Sequence, residues 1–407
     1  MQHVESGYCP PAVFRLSYRP HLGNNSLALN ESAVEGLAIY DVAIVGAGPA
    51  GATLARLIGN QFRVLLIEKR QLDYGAQDEC GGKCCGGLLA PDAQKMLSRL
   101  GLGLPKWVLV EPQLFVVRAI DVPRWIERYY QRFYINLDRQ QFDCWLASLV
   151  PDCVERRFGY RLLSCQAAEG HFRLVMAGQG GNLVEQARIV VGADGAFSLL
   201  RRQALPPSAH PKTYFAIQQW VESIDPQPYF SALFDPEISD YYCWTIPKGD
   251  LLVVGAALAP GDKTAGKFER YMQKLASFGF RLGKPVRREG AFLLRPNSQR
   301  CLTTDSNGIA LVGEAGGWIS PSSAEGLSYA LRSGLILAEV LRAGLEGFER
   351  RYRRAIRSLR WNLFLKQGKA RLIFSPLGRS IAMRSGLMSV QVLRALAVPP
   401  AASPPGP

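Results

Sequence analysis

The stretch YDVAIVGAGPAGATLARLI, from Tyr40 to Ile58, limits the fold more than any other part of the chain. Asp41 to Val45 reads as a buried strand, and Gly46, Gly48 and Gly51 follow it as G-x-G-x-x-G. The first glycine suits a tight turn, the second lets backbone approach a pyrophosphate, and the third lets helix and strand pack closely. Pro49 and Ala50 open the helix, whose unpaired first-turn amides and positive dipole end attract phosphate. A second strand, Arg63 to Ile67, ends at Glu68, about 20 residues beyond the glycines, where a carboxylate accepts from a ribose hydroxyl. Lys69 follows beside it as a further candidate contact. Strand, turn, helix, strand and acid in register predict an α/β, Rossmann-like three-layer dinucleotide-binding domain.

Two later segments bear on which dinucleotide is bound. ARIVVGADGAFSLLRR (Ala187 to Arg202) places Gly192-Ala193-Asp194-Gly195 after a β run. NGIALVGEAGGWISPSSAEGLSYALRSG (Asn307 to Gly334) places Gly313-Glu314-Ala315-Gly316-Gly317 after a strand, and Gly326-Leu327 at the start of a helix. Taken singly, each is a strand–turn–helix with glycine punctuation. In this order and spacing they resemble the three FAD contacts of the para-hydroxybenzoate-hydroxylase-like flavoproteins. The resemblance implies FAD as cofactor, with Asp194 and Gly195 near the pyrophosphate and ribityl region and the Gly313–Gly317 turn on the ribityl chain. It also implies that the helix opening at Gly326 and Leu327 aims its dipole at the flavin pyrimidine end, stabilising the anionic reduced form. Where the family usually has Gly-Asp, this chain has Gly313-Glu314, one methylene longer. Ribityl bonding by Glu314 would then need a small shift.

The segment ECGGKCCGGLL, Glu79 to Leu89, concentrates three of the nine cysteines. No Cys-x-x-Cys pair exists and the four histidines are far apart, so no metal site is expected and the thiols read as reduced. The geranylgeranyl reductase branch of the same superfamily carries a Lys-x-Cys-Gly-Gly element, which Lys83-Cys84-Cys85-Gly86-Gly87 resembles. By that resemblance Cys85 faces the gap between flavin and substrate as the catalytic thiol, with Lys83 as its cationic neighbour. Gly86 and Gly87 would let backbone pass over a planar ring. A buried inert cysteine, or a disulfide of Cys80 with Cys84 or Cys85, is the alternative.

SDYYCWTIPKGDLLVVGAAL, from Ser239, resembles the branch's Tyr-x-Trp-x-Phe-Pro element through Tyr242, Trp244 and Pro247, with Ile246 replacing phenylalanine and Gly255 lacking its second glycine. Strand alternation puts Tyr242, Trp244 and Ile246 on one face, lining an apolar channel for an isoprenoid tail or packing inward as a core strand. In RFYINLDRQQFDCWLASLV, Asp138 reads as a helix N-cap and Arg139 as an FAD phosphate contact. KCCGGLLAPDAQKML and WISPSSAEGLSYALRSG are most similar to the bacterial members that include the colicin M resistance flavoprotein.

A chain of 407 residues exceeds one small core. The motifs divide it into a flexible N-terminal extension (1–38), an FAD-binding domain (39–105, 130–205 and 300–345) and an inserted antiparallel-sheet substrate domain (106–129 and 206–299). A basic helical tail (346–396) and a disordered Pro-rich end (397–407) complete it. The net charge is +14, and from Arg342 to Arg394 thirteen Lys or Arg face two Glu. Leu341, Leu345, Phe348, Tyr352, Ile356, Leu359 and Leu363 interleave with these at helical spacing, which suits either a solvated face or peripheral contact of 342–394 with an anionic membrane. No binding fold for nucleic acid accompanies the charge. No apolar run approaches the roughly 18 to 20 residues that span a bilayer, and the first 38 residues lack a secretory apolar core, so a cytoplasmic chain is expected.

The resemblance implies hydride transfer from reduced FAD to a carbon–carbon double bond of a prenyl lipid, with protonation organised by Cys85 and NADPH or NADH as electron donor. An FAD-dependent monooxygenase or halogenase is the alternative, because halogenases carry Trp-x-Trp-x-Ile-Pro, one residue from Tyr242-x-Trp244-x-Ile246-Pro247. A non-catalytic, membrane-associated flavin protein is a second alternative.

Overall fold

The structure is a computed structural model that describes residues 38–72, 84–206, 210–225, 227–306 and 308–392. Residues 1–37 of the extension expected over 1–38, the Pro-rich end, Cys80 and Lys83 lie outside these residues.

Among the described residues the strands form two sheets. The first comprises β1 (Tyr40–Val45), β2 (Val64–Glu68), β6 (Glu155–Phe158), β7 (Arg161–Ala168), β8 (His171–Gly178), β9 (Gly181–Gly192), β15 (Asp305–Ser306) and β16 (Ile309–Leu311), in the order β15-β16-β9-β1-β2-β6 with β8 and β7 hanging from β9. The second comprises β3 (Leu88–Leu89), β4 (Leu114–Asp121), β5 (Ile126–Asn136), β10 (Lys212–Ser223), β11 (Phe230–Phe234), β12 (Cys243–Lys248), β13 (Leu251–Leu258), β14 (Leu282–Arg295) and β17 (Ser389–Val390), in the order β14-β10-β13-β12-β11-β4-β5-β17, with β3 beside β5. The helices are α1 (Pro49–Ile58), α2 (Pro91–Arg99), α3 (Arg139–Ser148), α4 (Leu199–Ala204), α5 (Thr264–Leu275), α6 (Leu327–Arg342), α7 (Phe348–Ala355), α8 (Arg357–Phe374) and α9 (Pro376–Arg384).

The middle of the first sheet is parallel, and its register matters. Val45 lies opposite Ile67 and Gly192, and Leu311 also lies opposite Gly192. Strands β1, β2, β9 and β16 therefore end at one level. The next hydrogen bonds, Gly46 N to Ile67 O (2.7 Å), Ala193 N to Val45 O (2.8 Å) and Val312 N to Gly192 O (3.0 Å), tie the turns beyond them together. All five residues of β2 are buried, as continuous apolar strands covered on both faces must be. Covering one face, α1 packs with α6 and α3 around a core that includes Ile44, Leu54, Ile58, Phe142, Leu331 and Leu335.

The second sheet is mostly antiparallel, with one parallel pairing of β11 on β4. Its β12 buries alternate side chains into separate clusters: Trp244 and Ile246, with Tyr242 just before the strand, on one face and Cys243 on the other. Asp138 caps α3 by accepting from Gln141 N at 2.9 Å.

The apolar stripe of the basic tail does not face outward. Leu341, Phe348, Tyr352, Ile356, Leu359 and Leu363 are buried in the core around α1 and α6, with Leu345 packed against it. Tyr352 also donates to Leu311 O at 3.0 Å, fixing α7 against β16. The stripe that sequence periodicity assigned to a surface is a packing face.

Two glycines of the first turn make opposite predictions. A Cβ on Gly51 would sit 1.8 Å from Gly46 O, whereas a Cβ on Gly48 would meet nothing within 4 Å. Gly51→Ala should therefore lower unfolding free energy by about 2 kcal/mol or more, and Gly48→Ala by less than about 0.5 kcal/mol, read from urea midpoints.

Candidate functional site

The three glycine turns converge at the carboxyl edge of the parallel strands, where open α/β sheets bind ligands. Gly48 caps α1 with extended backbone, φ −70 and ψ −175, and borders the open space noted above. Pro49 and Ala50 are buried at the start of the helix. Asp194 accepts from Leu199 N through Oδ2 at 2.9 Å, while its buried Oδ1 has no hydrogen-bond partner among the described residues. Burial pushes the Asp194 carboxyl up from its ordinary range. Gly195 follows in left-handed conformation, φ +77, and opens a short turn. Behind it Arg201, fully buried, donates to Ala315 O (2.9 Å) and Cys301 O (2.7 Å), joining this turn to Gly313–Gly316.

Glu314 reaches away from the turn: its Oε1 accepts from Leu294 N of β14 at 3.1 Å. Gly326 caps α6 and Leu327 begins it. Glu325 accepts from Ser328 N (2.7 Å) and Ser328 Oγ (2.6 Å), which places a carboxylate at that helix N-terminus.

Glu68 is buried and engaged. Oε2 accepts from Ala47 N at 2.9 Å, and Oε1 accepts from the Arg70 backbone N (3.1 Å) and Nε (3.0 Å). Lys69 beside it is exposed. Sequence reasoning missed Arg70, which also donates to Asp143 Oδ2 at 3.0 Å. Asp143, fully buried, accepts from Arg139 Nε at 2.8 Å, and Arg139 Nη1 donates to Cys85 Sγ at 3.5 Å. A single ionic chain thus runs from the acid that ends β2 to the thiol. Burial disfavours the Arg139 charge, but Asp143 and Cys85 outweigh it and raise the guanidinium above its ordinary range.

Cys84 and Cys85 are half-buried and form no disulfide with another described cysteine. The strip they begin lies against the end of β12. A Cβ on Gly86 would fall 2.5 Å from Ile246 Cδ1. Gly87 has φ +60, and a Cβ there would lie 2.2 Å from Leu137 O and 2.7 Å from Lys248 Nζ, so only glycine fits. Lys248, buried and also missed in the sequence, donates to Leu137 O (2.7 Å) and Gly87 O (3.3 Å). Burial lowers its pKa to about 8, opposed by Cys85 and Asp138. Pro247 lies beside it, its carbonyl accepting from Asn136 Nδ2 at 2.8 Å.

Tyr242, Trp244 and Ile246 join Tyr214, Tyr241, Tyr134, Phe230 and Phe374 in one apolar cluster. Tyr242 donates to Ser323 O at 2.9 Å, and Trp244 Nε1 is buried with no partner among the described residues. Burial, with smaller contributions from Tyr241, Tyr134 and Cys85, pushes the Tyr242 hydroxyl well above its ordinary pKa. Of the sequence-predicted residues, the structure brings Cys85, Gly86, Gly87, Arg139, Tyr242, Trp244 and Pro247 into one neighbourhood. Gly46, Gly48, Asp194, Gly313 and Gly326 gather at the strand ends. Among the described residues no group of three or more His, Cys, Asp or Glu is arranged to hold a metal.

Comparison with known proteins identifies the lineage. No family model matches the chain. Protein CbrA of Escherichia coli O6:H1 is 39% identical over 355 residues, covering 87% of this chain and 96% of that protein. The chain belongs to the CbrA family. CbrA of Shigella sonnei is likewise 39% identical over 355 residues, covering 87% of this chain and 99% of its own length. Among solved structures, a geranylgeranyl bacteriochlorophyll reductase-like protein from Thermoplasma acidophilum superposes with TM-score 0.73 at 20% identity, covering 89% of this chain and 94% of that one. PqsL of Pseudomonas aeruginosa, described as a probable FAD-dependent monooxygenase, gives TM-score 0.61 at 17% identity over 86% of this chain and all of its own. This CbrA-family chain therefore has the fold of FAD-dependent oxidoreductases and monooxygenases, as its motifs led us to expect.

Lys248 has a measurable signature. Its folded-state pKa lies below the ordinary 10.5, so the unfolded chain binds the extra proton between about pH 8 and 10.5 and stability rises with pH across that window. In Lys248→Met this rise should shrink by about 3 kcal/mol, measured by denaturant unfolding at pH 7.5 and 10.5.

Proposed function

We propose that this protein binds FAD and reduces carbon–carbon double bonds of a prenyl-type lipid, with NADPH or NADH as electron donor. The observation that carries the reading is the Cys85 thiol, held by a buried guanidinium beside an apolar aromatic wall. Two features support FAD: open space over Gly48 at a helix N-terminus, and the unpartnered Asp194 Oδ1 at the same strand edge. Gly46, Gly48, Pro49, Ala50 and Gly51 would cradle the pyrophosphate, with Asp194, Gly195 and the Gly313 turn on the ribityl side. Bound FAD, once reduced, would supply the hydride for one alkene carbon.

The chain's own groups account for the rest. An isolated alkene accepts hydride poorly, so a proton must reach the second carbon, and Cys85 would deliver it. Negative charge left on the sulfur is stabilised by the Arg139 N–H, itself oriented by Asp143 and Arg70. Tyr242, Trp244 and Ile246 keep water from the reacting carbons and suit an isoprenoid chain. Lys248, whose Nζ donates to the Gly87 carbonyl two residues past the thiol, would restore the proton.

The monooxygenase reading uses the same fold and differs in its products. Purified protein supplied with FAD, NADPH and a prenyl lipid fraction should yield lipid heavier by one H2 per double bond, seen by mass spectrometry. Oxygen consumption without that product would favour the monooxygenase. Bound FAD that no nicotinamide reduces would favour the non-catalytic alternative. Cys85→Ala should retain flavin absorbance and lose about 10²- to 10⁴-fold in reduction rate. Gly48→Val should purify folded but colourless, and normal flavin content in that variant would overturn the cradle.

A further inference from the structure

From Arg350 to Val392 the sequence holds eleven Lys or Arg and no Asp or Glu. With one stripe of this region committed to the core, the outward face of α8 should be polar, yet it is not. Trp361, Phe364, Leu365 and Leu372 recur at i, i+3, i+4 and i+11, and each is at least half exposed. Trp361 and Phe364 stack on each other at 5.3 Å between ring centres. Leu377 and Ile381, one turn apart on α9, extend the apolar surface, and Leu387 and Met388 (83% exposed) follow it. Single exposed apolar residues are ordinary, but eight of them on two consecutive helices and the turn that follows mark an interaction surface.

The surrounding charge identifies the partner. Arg357, Lys369, Arg371 and Arg384 are exposed along the same two helices. The other basic groups of these two helices serve the fold: Arg379 pairs with buried Asp121 at 3.0 Å, Arg360 donates to Leu302 O at 2.5 Å, and Lys366 pairs with Asp92 at 3.5 Å. What remains is an apolar stripe with a tryptophan, bordered by cations, on two helices that carry no Asp or Glu of their own. An amphipathic helix of this kind lies in the interface of an anionic bilayer, with its apolar side among the acyl chains and its cations at the phosphates. We infer that the outer face of α8 and α9 docks on an anionic lipid bilayer. The docked face adjoins the aromatic cluster, because Phe374 at the end of α8 packs on Tyr241 at 5.0 Å and Phe234 at 5.9 Å. The inference goes beyond the catalytic reading and needs no turnover to be tested.

The test is flotation of the full chain with phosphatidylglycerol-containing and pure phosphatidylcholine vesicles. Wild type should bind the anionic vesicles, bind the neutral ones at least about tenfold more weakly, and release at high salt. Trp361→Ser/Phe364→Ser and Arg357→Glu/Lys369→Glu/Arg371→Glu should each reduce binding about tenfold while unfolding at the wild-type midpoint. A charge-matched control, Arg161→Glu/Arg188→Glu/Arg281→Glu, should bind as wild type. Brominated lipid should quench tryptophan emission in wild type, and less so in Trp361→Phe. Failure of wild type to float, equal losses in the control, or undiminished binding of both face variants would overturn the inference. A dimer that the same face variants dissociate, without vesicle binding, would overturn it in favour of a second copy of the chain.

Discussion

The level at which four parallel strands stop is the constraint on which the rest depends. Because β1, β2, β9 and β16 end together, the turns at Gly46, Ala193 and Gly313 are brought to one edge although they are far apart in sequence. A slip of one residue in β9 would turn Asp194 to the opposite side of the sheet and separate it from the Gly46 turn. The close seating of α1 on that turn, through Gly51 and the Gly46 carbonyl, leaves the helix amides facing the same edge.

A second constraint links this edge to the thiol. Glu68, Arg70, Asp143, Arg139 and Cys85 form a nearly dry ionic chain, each member held by the next. Burying charge is costly unless every partner is present, so the chain gives geometry more than stability. Truncating Asp143 would leave two buried guanidiniums without their shared carboxylate. The pins at Leu137, Gly87 and Lys248 act from the other sheet, holding the cysteine strip against the end of β12.

Much of this was legible in the sequence, and what was not has a physical reason. The β1–α1–β2 unit was readable because turn glycines, helix opening and terminal acid are local and short-range. The face shared by Tyr242, Trp244 and Ile246 followed from period-two alternation. Arg70 and Asp143 escaped notice because their pairing joins residues 73 apart, which no local pattern encodes. No local motif marks Lys248, and only burial against Gly87 and Leu137 gives it an unusual proton affinity. The tail misled for a related reason. Periodicity indicated helix, which the structure divides among the end of α6, α7 and α8, but the sequence holds two apolar stripes, and periodicity does not say which meets the core.

That second point changes what the C-terminal segment is. Phe348, Tyr352, Ile356, Leu359 and Leu363 each bury a side chain worth about 1.5–3 kcal/mol, a sum comparable with the whole stability of an ordinary domain. Arg379 and Asp121 clamp the far end of the segment onto the second sheet. The segment is thus a keystone spanning both sheets rather than an appendage. A chain cut after Arg342 would lose its fold along with its charge, so the basic surface can be studied only by substitutions that leave the inner stripe intact.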